Sequence, residues 1–237
     1  MEKDMQVCVF EATSCTEIEP IKNILDERGV SYSVQEMEDS DILKLKVNIL
    51  DEQRAFKWID KYLENVAKKS YIFRKAIKED IEGVWQILQN AIERRKEDRS
   101  EQWHNDNGYP NRKVVESDIE KGFGYVLEDR AEVLGYIAIM DKDDAYSEIN
   151  GNWLSKNKEY IALHRVAVSP KVLGKGLAQE ILKRAEQYAI DNDIHSIKMD
   201  TNFDNLSMAA ILGKLGYLYC GEVCRNGEMR IAFEKRL

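Results

Sequence analysis

"HRVAVSPKVLGKGLAQEIL", residues 164–182, decides how this chain is read. The apolar run "HRVAV" reads as a buried strand, "SPKVLGKG" breaks it, and "LAQEIL" opens a helix. A strand that passes through a glycine turn into a helix is a device for holding an anion. The first helical turn leaves its amides unpaired, and the helix dipole favours negative charge there. Gly174 and Gly176, with the small Ala178, let a ligand approach without a Cβ in the way. The successive amides of Gly174, Lys175, Gly176, Leu177 and Ala178 form a candidate nest for a diphosphate. The stretch fits neither the dinucleotide fingerprint nor a P-loop. "GKGLAQ" (174–179) lacks a third glycine at the required spacing and contains no G-K-[ST].

The surrounding residues, from Tyr71 on, predict a mixed sheet. "YIFRKAI" is a strand, and "EDIEGVWQILQNAIERRKE" is an amphipathic helix with Ile81, Val84, Trp85, Leu88 and Ile92 on one side. A polar, aromatic stretch follows, "SEQWHNDNGYP" (100–110), then a short helix near Val114–Lys121. "FGYVLEDRAEVLGYIAIMD" predicts two antiparallel strands joined around Glu128–Ala131. An irregular segment carries Glu148 and Trp153, and "EYIALHRVAV" is a long strand. After the glycine turn and its helix come strand "IHSIKMDT", a helix over "NLSMAAILGKLG" closed by Gly216, and strands "YLYCGEV" and "MRIAFEKR" meeting at "RNGE". The expected order is βαα-βββ-αβ-αββ.

The first 66 residues predict a separate βαββα block, about half of a ferredoxin-like fold. Strand "MQVCVFEA" leads to a helix from Thr16 to Arg28, with Glu19 placed as a capping box and Gly29 as its stop. Strands "VSYSVQEM" and "ILKLKVNIL" meet at "EDSD" (38–41). A second helix, Asp51 to Val66, sets Phe56, Ile59 and Leu63 on one stripe with Ala55 and Tyr62 beside it. "NVAKKS" (65–70) reads as the junction, which sets domains at 1–68 and 71–237. The block holds no histidine and no glycine-rich loop. It reads as a structural, dimerising or ligand-sensing module, so a homodimer stays open.

Bulk properties narrow the function. The 237 residues carry a formal charge of −8, which argues against non-specific nucleic-acid or anionic-membrane binding. Four scattered cysteines make no disulfide framework, and Cys220 and Cys224 have no matching Cys/His pair, so no metal site is expected. No basic leader with an apolar core and no run of 18 apolar residues occurs, which predicts a cytoplasmic protein.

The glycine turn closely resembles the acetyl-CoA-binding motif of the GNAT N-acyltransferases, Q/R-x-x-G-x-G/A, which falls on Leu173 to Ala178. "QW…GYP" (102–110), "YIAI" (136–139), "DTNFDN" (200–205) and "KLGY" (214–217) extend the likeness over about residues 71–237. It implies an α/β (α+β) fold whose two central strands splay apart around acetyl-CoA, the co-substrate. Val166, Ala167 and Val168 would pair with the pantetheine arm, residues 174–178 would take the diphosphate, and Asn205 would bond the cofactor unless it caps the next helix.

Two family positions are altered. Leu173 fills the Q/R slot, and Leu212 stands where many relatives carry a tyrosine acid. A glutamate base of many relatives falls on Ala162, and His164, two residues along the same strand, is the candidate general base, with Glu148 a second candidate and a core histidine the alternative. Trp103, Tyr109 and Trp153 fall where relatives wall the acceptor site. The resemblance implies an N-acetyltransferase acting by direct transfer on the primary amine of a small molecule or peptide. A non-catalytic acyl-CoA sensor is the alternative.

Overall fold

The computed structural model describes residues 5–37, 41–103, 108–156, 159–225 and 227–237. Residues 38–40 of the turn expected at 38–41, residues 104–107 of the aromatic stretch and Asn226 of the last turn lie outside them. The chain divides into two compact units, one ending at Ser70 and one running from Tyr71 to Leu237.

The first unit is β1 (Gln6–Ala12), α1 (Cys15–Glu27), β2 (Tyr32–Glu36), β3 (Leu43–Asn48) and α2 (Glu52–Ser70). Its antiparallel sheet has the order β1-β3-β2, the split βαβ arrangement. Alternation in β3 buries Leu45 and Val47 completely, against Ile21 and Leu25 of α1. Three details differ from the sequence reading. Helix α1 starts at Cys15, and Glu19 pairs with Lys22 at 2.7 Å while Glu17 accepts the Thr13 amide at 2.8 Å. The buried stripe of α2 is Ala55 and Ile59 with Tyr62 beside them, whereas Phe56 and Leu63 are exposed, because only the i, i+4 row meets the sheet. The helix also continues through 65–70, since a polar segment without helix breakers extends a helix readily.

The second unit runs β4 (Ile72–Lys75), α3 (Ile81–Glu97), α4 (Arg112–Glu120), β5 (Gly124–Asp129), β6 (Glu132–Met140), β7 (Asn150–Gly151), β8 (Ile161–Val168), α5 (Leu177–Asp191), β9 (Ser196–Thr201), α6 (Leu206–Lys214), β10 (Leu218–Arg225) and β11 (Glu228–Arg236). The expected order of elements is present, with β7 added inside the irregular segment. One mixed sheet has the order β4-β5-β6-β8-β9-β11-β10-β7. Alternation sorts its faces. Leu127, Ile137 and Ile139 pack on Leu177, Ile181 and Leu212 of α5 and α6. Val126, Tyr136 and Ala138 pack on Val84, Leu88 and Val115 of α3 and α4.

Among the described residues only β8 and β9 run parallel, and they pair only over Ile161–Leu163 against Ile197–Met199. Beyond Leu163 the two strands part while β8 stays paired to β6 up to Val168. The sheet therefore opens at its centre, in front of the helix that follows β8.

Candidate active site

The opening lies in a groove of about 880 Å³, lined by the end of β8, the glycine turn, and residues of α3, α6, β10 and β11. At its mouth Pro170–Val172 form a single 3-10 turn, and Gly174 and Gly176 follow at φ +76° and +77°. Left-handed geometry at both positions is what glycine permits at no steric cost. A Cβ built on either would meet nothing within 4 Å, so the turn faces open space. Among the described residues, the amides of Gly174, Gly176, Leu177, Ala178 and Gln179 have no acceptor, and α5 first closes at Glu180 N on Gly176 O (3.0 Å). The nest is shifted from the expected one. The Lys175 amide is spent on Val172 O at 3.3 Å, Lys175 does not line the groove, and the Gln179 amide joins instead.

The edge of β8 supplies the groove wall. Ser169 donates its amide to Leu134 O of β6 at 2.8 Å. By alternation Ala167, paired to Tyr136, also faces β6, so Val166 and Val168 turn their main chain toward the gap. Upstream the strand carries a bulge. Three steps of β8, from His164 to Ala167, oppose two steps of β6, from Ala138 to Tyr136, and Arg165 sits at φ +54°. The extra residue inverts the parity of the strand. Ile161 and Leu163 face α5 before it and Val166 and Val168 face α5 after it, so His164 and Arg165, neighbours in sequence, share the opposite face.

Arg165 is buried there and fully used. Its Nε and Nη2 donate to the two oxygens of Asp118 at 2.7 Å each, and Nη1 donates to Tyr109 Oη at 2.8 Å. Tyr136 Oη adds a third bond to Asp118 at 2.9 Å.

His164 is 6 % exposed and stands in a cluster of charges. Its Nε2 lies 2.8 Å from Asp143 Oδ2 without the alignment of a hydrogen bond, and its Nδ1 lies 3.9 Å from Asp200 Oδ1. Tyr146 donates to Asp200 at 2.6 Å and packs its ring 5.9 Å from the imidazole. Arg225 pairs with Asp143 and stands 3.4 Å from Asp200. Burial pushes the His164 pKa below the ordinary imidazole value, against the pull of Asp143. Burial alone raises Asp143, but His164 and Arg225 outweigh it and hold that carboxyl well below the usual range. The ring is therefore neutral at neutral pH, with a carboxylate against one nitrogen.

The remaining expected residues divide. Val166, Ala167, Val168, His164, Trp103 and Tyr109 line the groove. Glu148 is exposed and outside it, because the segment it occupies turns outward before β7. Trp153 is also outside, with Nε1 donating to Tyr146 O at 2.9 Å and Lys198 Nζ 4.3 Å from its ring. Asn205 lines the groove, but it caps α6. Its Oδ1 accepts from Met208 N (3.2 Å) and Arg95 (2.8 Å), and its Nδ2 donates to Gln102 (2.7 Å) and Thr201 (2.9 Å), which exhausts the amide. Leu212 is completely buried, so no acid stands in that slot.

Sequence reading missed Asp143, Asp200, Arg225, Arg230 and the Arg165–Asp118 pair. They come from separate elements, and the only local hint was charge inside otherwise apolar strands. Among the described residues no group of three or more His, Cys, Asp or Glu is arranged to hold a metal, and no helix is long and apolar enough to cross a membrane.

Comparison with known proteins converges on one family. The Acetyltransferase (GNAT) family matches residues 85–217. A crystal structure of a GNAT-family acetyltransferase from Streptococcus agalactiae 2603 is 32 % identical with a TM-score of 0.65, over 70 % of this chain and 95 % of its own. Another, from Listeria monocytogenes 4b F2365, shares the fold at 22 % identity and a TM-score of 0.58, over 70 % of this chain and 95 % of its own. The uncharacterized N-acetyltransferase YesJ of Bacillus subtilis (strain 168) is 24 % identical over 147 residues, 62 % of this chain and 81 % of its own.

Proposed function

The chain belongs to the acetyltransferase (GNAT) family, and from that premise we propose that it is an acetyl-CoA-dependent N-acetyltransferase acting on a primary amine. The observation that carries the proposal is a single groove that joins free helix-mouth amides, an unpaired strand edge and a neutral buried imidazole. The diphosphate of acetyl-CoA binds the amides of Gly174, Gly176, Leu177, Ala178 and Gln179, where partial positive charge is fixed. The pantetheine arm adds itself to β8 at Val166 and Val168 as a further strand would. His164 lies four residues from Val168, roughly 13 Å at ~3.3 Å per residue, which sets the thioester beside it.

An amine must lose a proton before its nitrogen can attack. His164 takes that proton, directly or through one water, and Asp143 stabilises the imidazolium that forms. The nitrogen bonds to the thioester carbon, and the tetrahedral oxyanion is met by main-chain amides of the bulged strand. The C–S bond then breaks, the CoA thiolate leaves and takes the second proton of the nitrogen, directly or through water, and the first proton stays on His164 until solvent removes it. Trp103 and Tyr109 wall the acceptor end. The acceptor is a small-molecule or peptide amine, and transfer is direct, without an acyl-enzyme. Leu212 and Ala162, both completely buried, favour a second reading, an acyl-CoA sensor without turnover.

The test is calorimetry with acetyl-CoA followed by thiol release against a panel of amines. Gly176→Trp fills the anion site and abolishes binding. Wild-type affinity in that variant refutes the assignment, and tight binding with no turnover selects the sensor.

A further inference from the structure

Two arginines of comparable burial in the second unit are treated differently by the fold. Arg165 has every direction of its fork filled by Asp118 and Tyr109. Arg230, on β11, has a side chain only 6 % exposed, yet among the described residues its one hydrogen bond is Nη2 to Glu228 Oε2 at 3.1 Å. Its Nη1 stands 3.9 Å from Asp200 Oδ2, beyond hydrogen-bond reach, and its Nε is buried with no partner. Arg225 repeats the pattern, with Nε buried and unpartnered while Nη2 serves Asp143. Both side chains line the groove beside His164 and Asp200. A buried guanidinium with idle donors is costly, and its planar fork is shaped for a carboxylate.

We infer that the acceptor carries a carboxylate besides its amine, and that Arg230, with Arg225 beside it, binds that carboxylate. The inference rests on the N-acetyltransferase reading and names the substrate class for it. The anion is not a phosphate of CoA. The glycine turn that takes the diphosphate lies beyond Val168 and the 3-10 turn that follows β8, past the end of the strand from His164. Spacing narrows the acceptor further. Asp200 presents Oδ1 at 3.9 Å from His164 and Oδ2 at 3.9 Å from Arg230, so the base and the anion site flank one carboxylate. The acceptor's amine and carboxylate are thus separated by a few bonds, the scale of a free amino acid. Polyamines lack a carboxylate altogether, and a peptide N-terminus has one at that separation only where its first side chain is Asp or Glu. Asp200 stays between the two sites to receive the incoming ammonium before it is deprotonated.

The experiment uses matched acceptors: an amino acid, its carboxamide and the amine without the carboxyl, for several side chains. Thiol release from acetyl-CoA gives kcat/KM for each. The acids are expected to exceed their amides by roughly ten- to a hundredfold, the range of a charged hydrogen bond. Arg230→Gln brings the acid-to-amide ratio of kcat/KM close to one, whatever it does to the amides themselves, and Arg230→Lys restores part of that ratio; thermal melts establish that both variants fold. Equal use of acids and amides overturns the inference, as does a variant that slows every acceptor alike. A second arm is independent of turnover. N-acetylated amino acids, with and without CoA, raise the melting temperature of wild type but not of Arg230→Gln, and their amides raise neither; no difference between acid and amide overturns the inference. Failure of the parent reading looks different: no heat with acetyl-CoA in calorimetry.

Discussion

Asp118→Asn tests whether the bulge in β8 is held by the charge pair beneath it. Asp118 is 5 % exposed, and its carboxylate receives two bonds from Arg165 at 2.7 Å and one from Tyr136 at 2.9 Å. Asparagine keeps the shape but offers one acceptor, turns an NH2 toward the guanidinium, and leaves a buried cation without its counter-ion. Breaking a buried pair this way costs about 3–5 kcal/mol. For a unit running from Tyr71 to Leu237, at ~2–4 °C per kcal/mol, the melting temperature falls by roughly 6–20 °C. Tyr136→Phe removes only the third bond and costs about 1 kcal/mol. The assay is differential scanning calorimetry of the whole chain, followed by acetyl-CoA titration below the transition. The double variant Asp118→Leu with Arg165→Met removes both charges together, so it recovers much of the lost stability. It does not recover the affinity, because the bulge no longer has its anchor. A loss below about 1 kcal/mol for Asp118→Asn, or a double variant worse than the sum of the singles, refutes the reasoning.

Four further outcomes are expected. Because burial lowers the His164 pKa, the difference in kcat between wild type and His164→Gln rises with pH around a midpoint below ~6.5, and a midpoint above that value contradicts the assignment. The same depressed value means that stability from His164 is present above ~6.5 and is lost as pH falls through the folded pKa, which urea midpoints measured across that window will show. Asn205→Ala removes a helix cap and the partner of Arg95, costing about 1–3 kcal/mol, while acetyl-CoA affinity changes by less than roughly threefold; a tenfold weaker titration at unchanged stability reverses that view. Gly221→Ala sets a Cβ 2.3 Å from Asn150 O at φ +138°, so β7 leaves β10 and the Asn152 amide, now bonded to Cys220 O at 2.8 Å, exchanges faster.

What the sequence made legible is what neighbouring residues settle between themselves. Gly174 and Gly176 declare a turn wherever they stand in the fold, and the apolar periods of β8 and α5 on either side fix its strand and helix. The buried row of β3 followed from alternation for the same reason. The charge cluster was illegible because Asp143, His164, Asp200, Arg225 and Arg230 are up to 87 positions apart (230 − 143) and meet only when β10 and β11 fold over β9. Asn205 shows a middle case. Its position before a helix told of a cap, and only the four partners of its amide decide between cap and ligand.

The bulge marks where periodic reading fails and why the failure coincides with the site. A period of two assigns Arg165 to the face of Leu163, in the packed layer under α5, where a guanidinium has no partner. One inserted residue at φ +54° moves it to the face of His164 and within reach of Asp118. The same insertion frees the main chain of Val166 and Val168 from any strand on the β9 side, since parallel pairing stops at Leu163. The side-chain parity of the strand beyond His164 and the main-chain direction of Val166 and Val168 thus depend on a single backbone irregularity. The arginine at that irregularity finds its acidic partner 47 positions upstream in α4, so loss of the Asp118 charge is expected to reach the groove through the bulge.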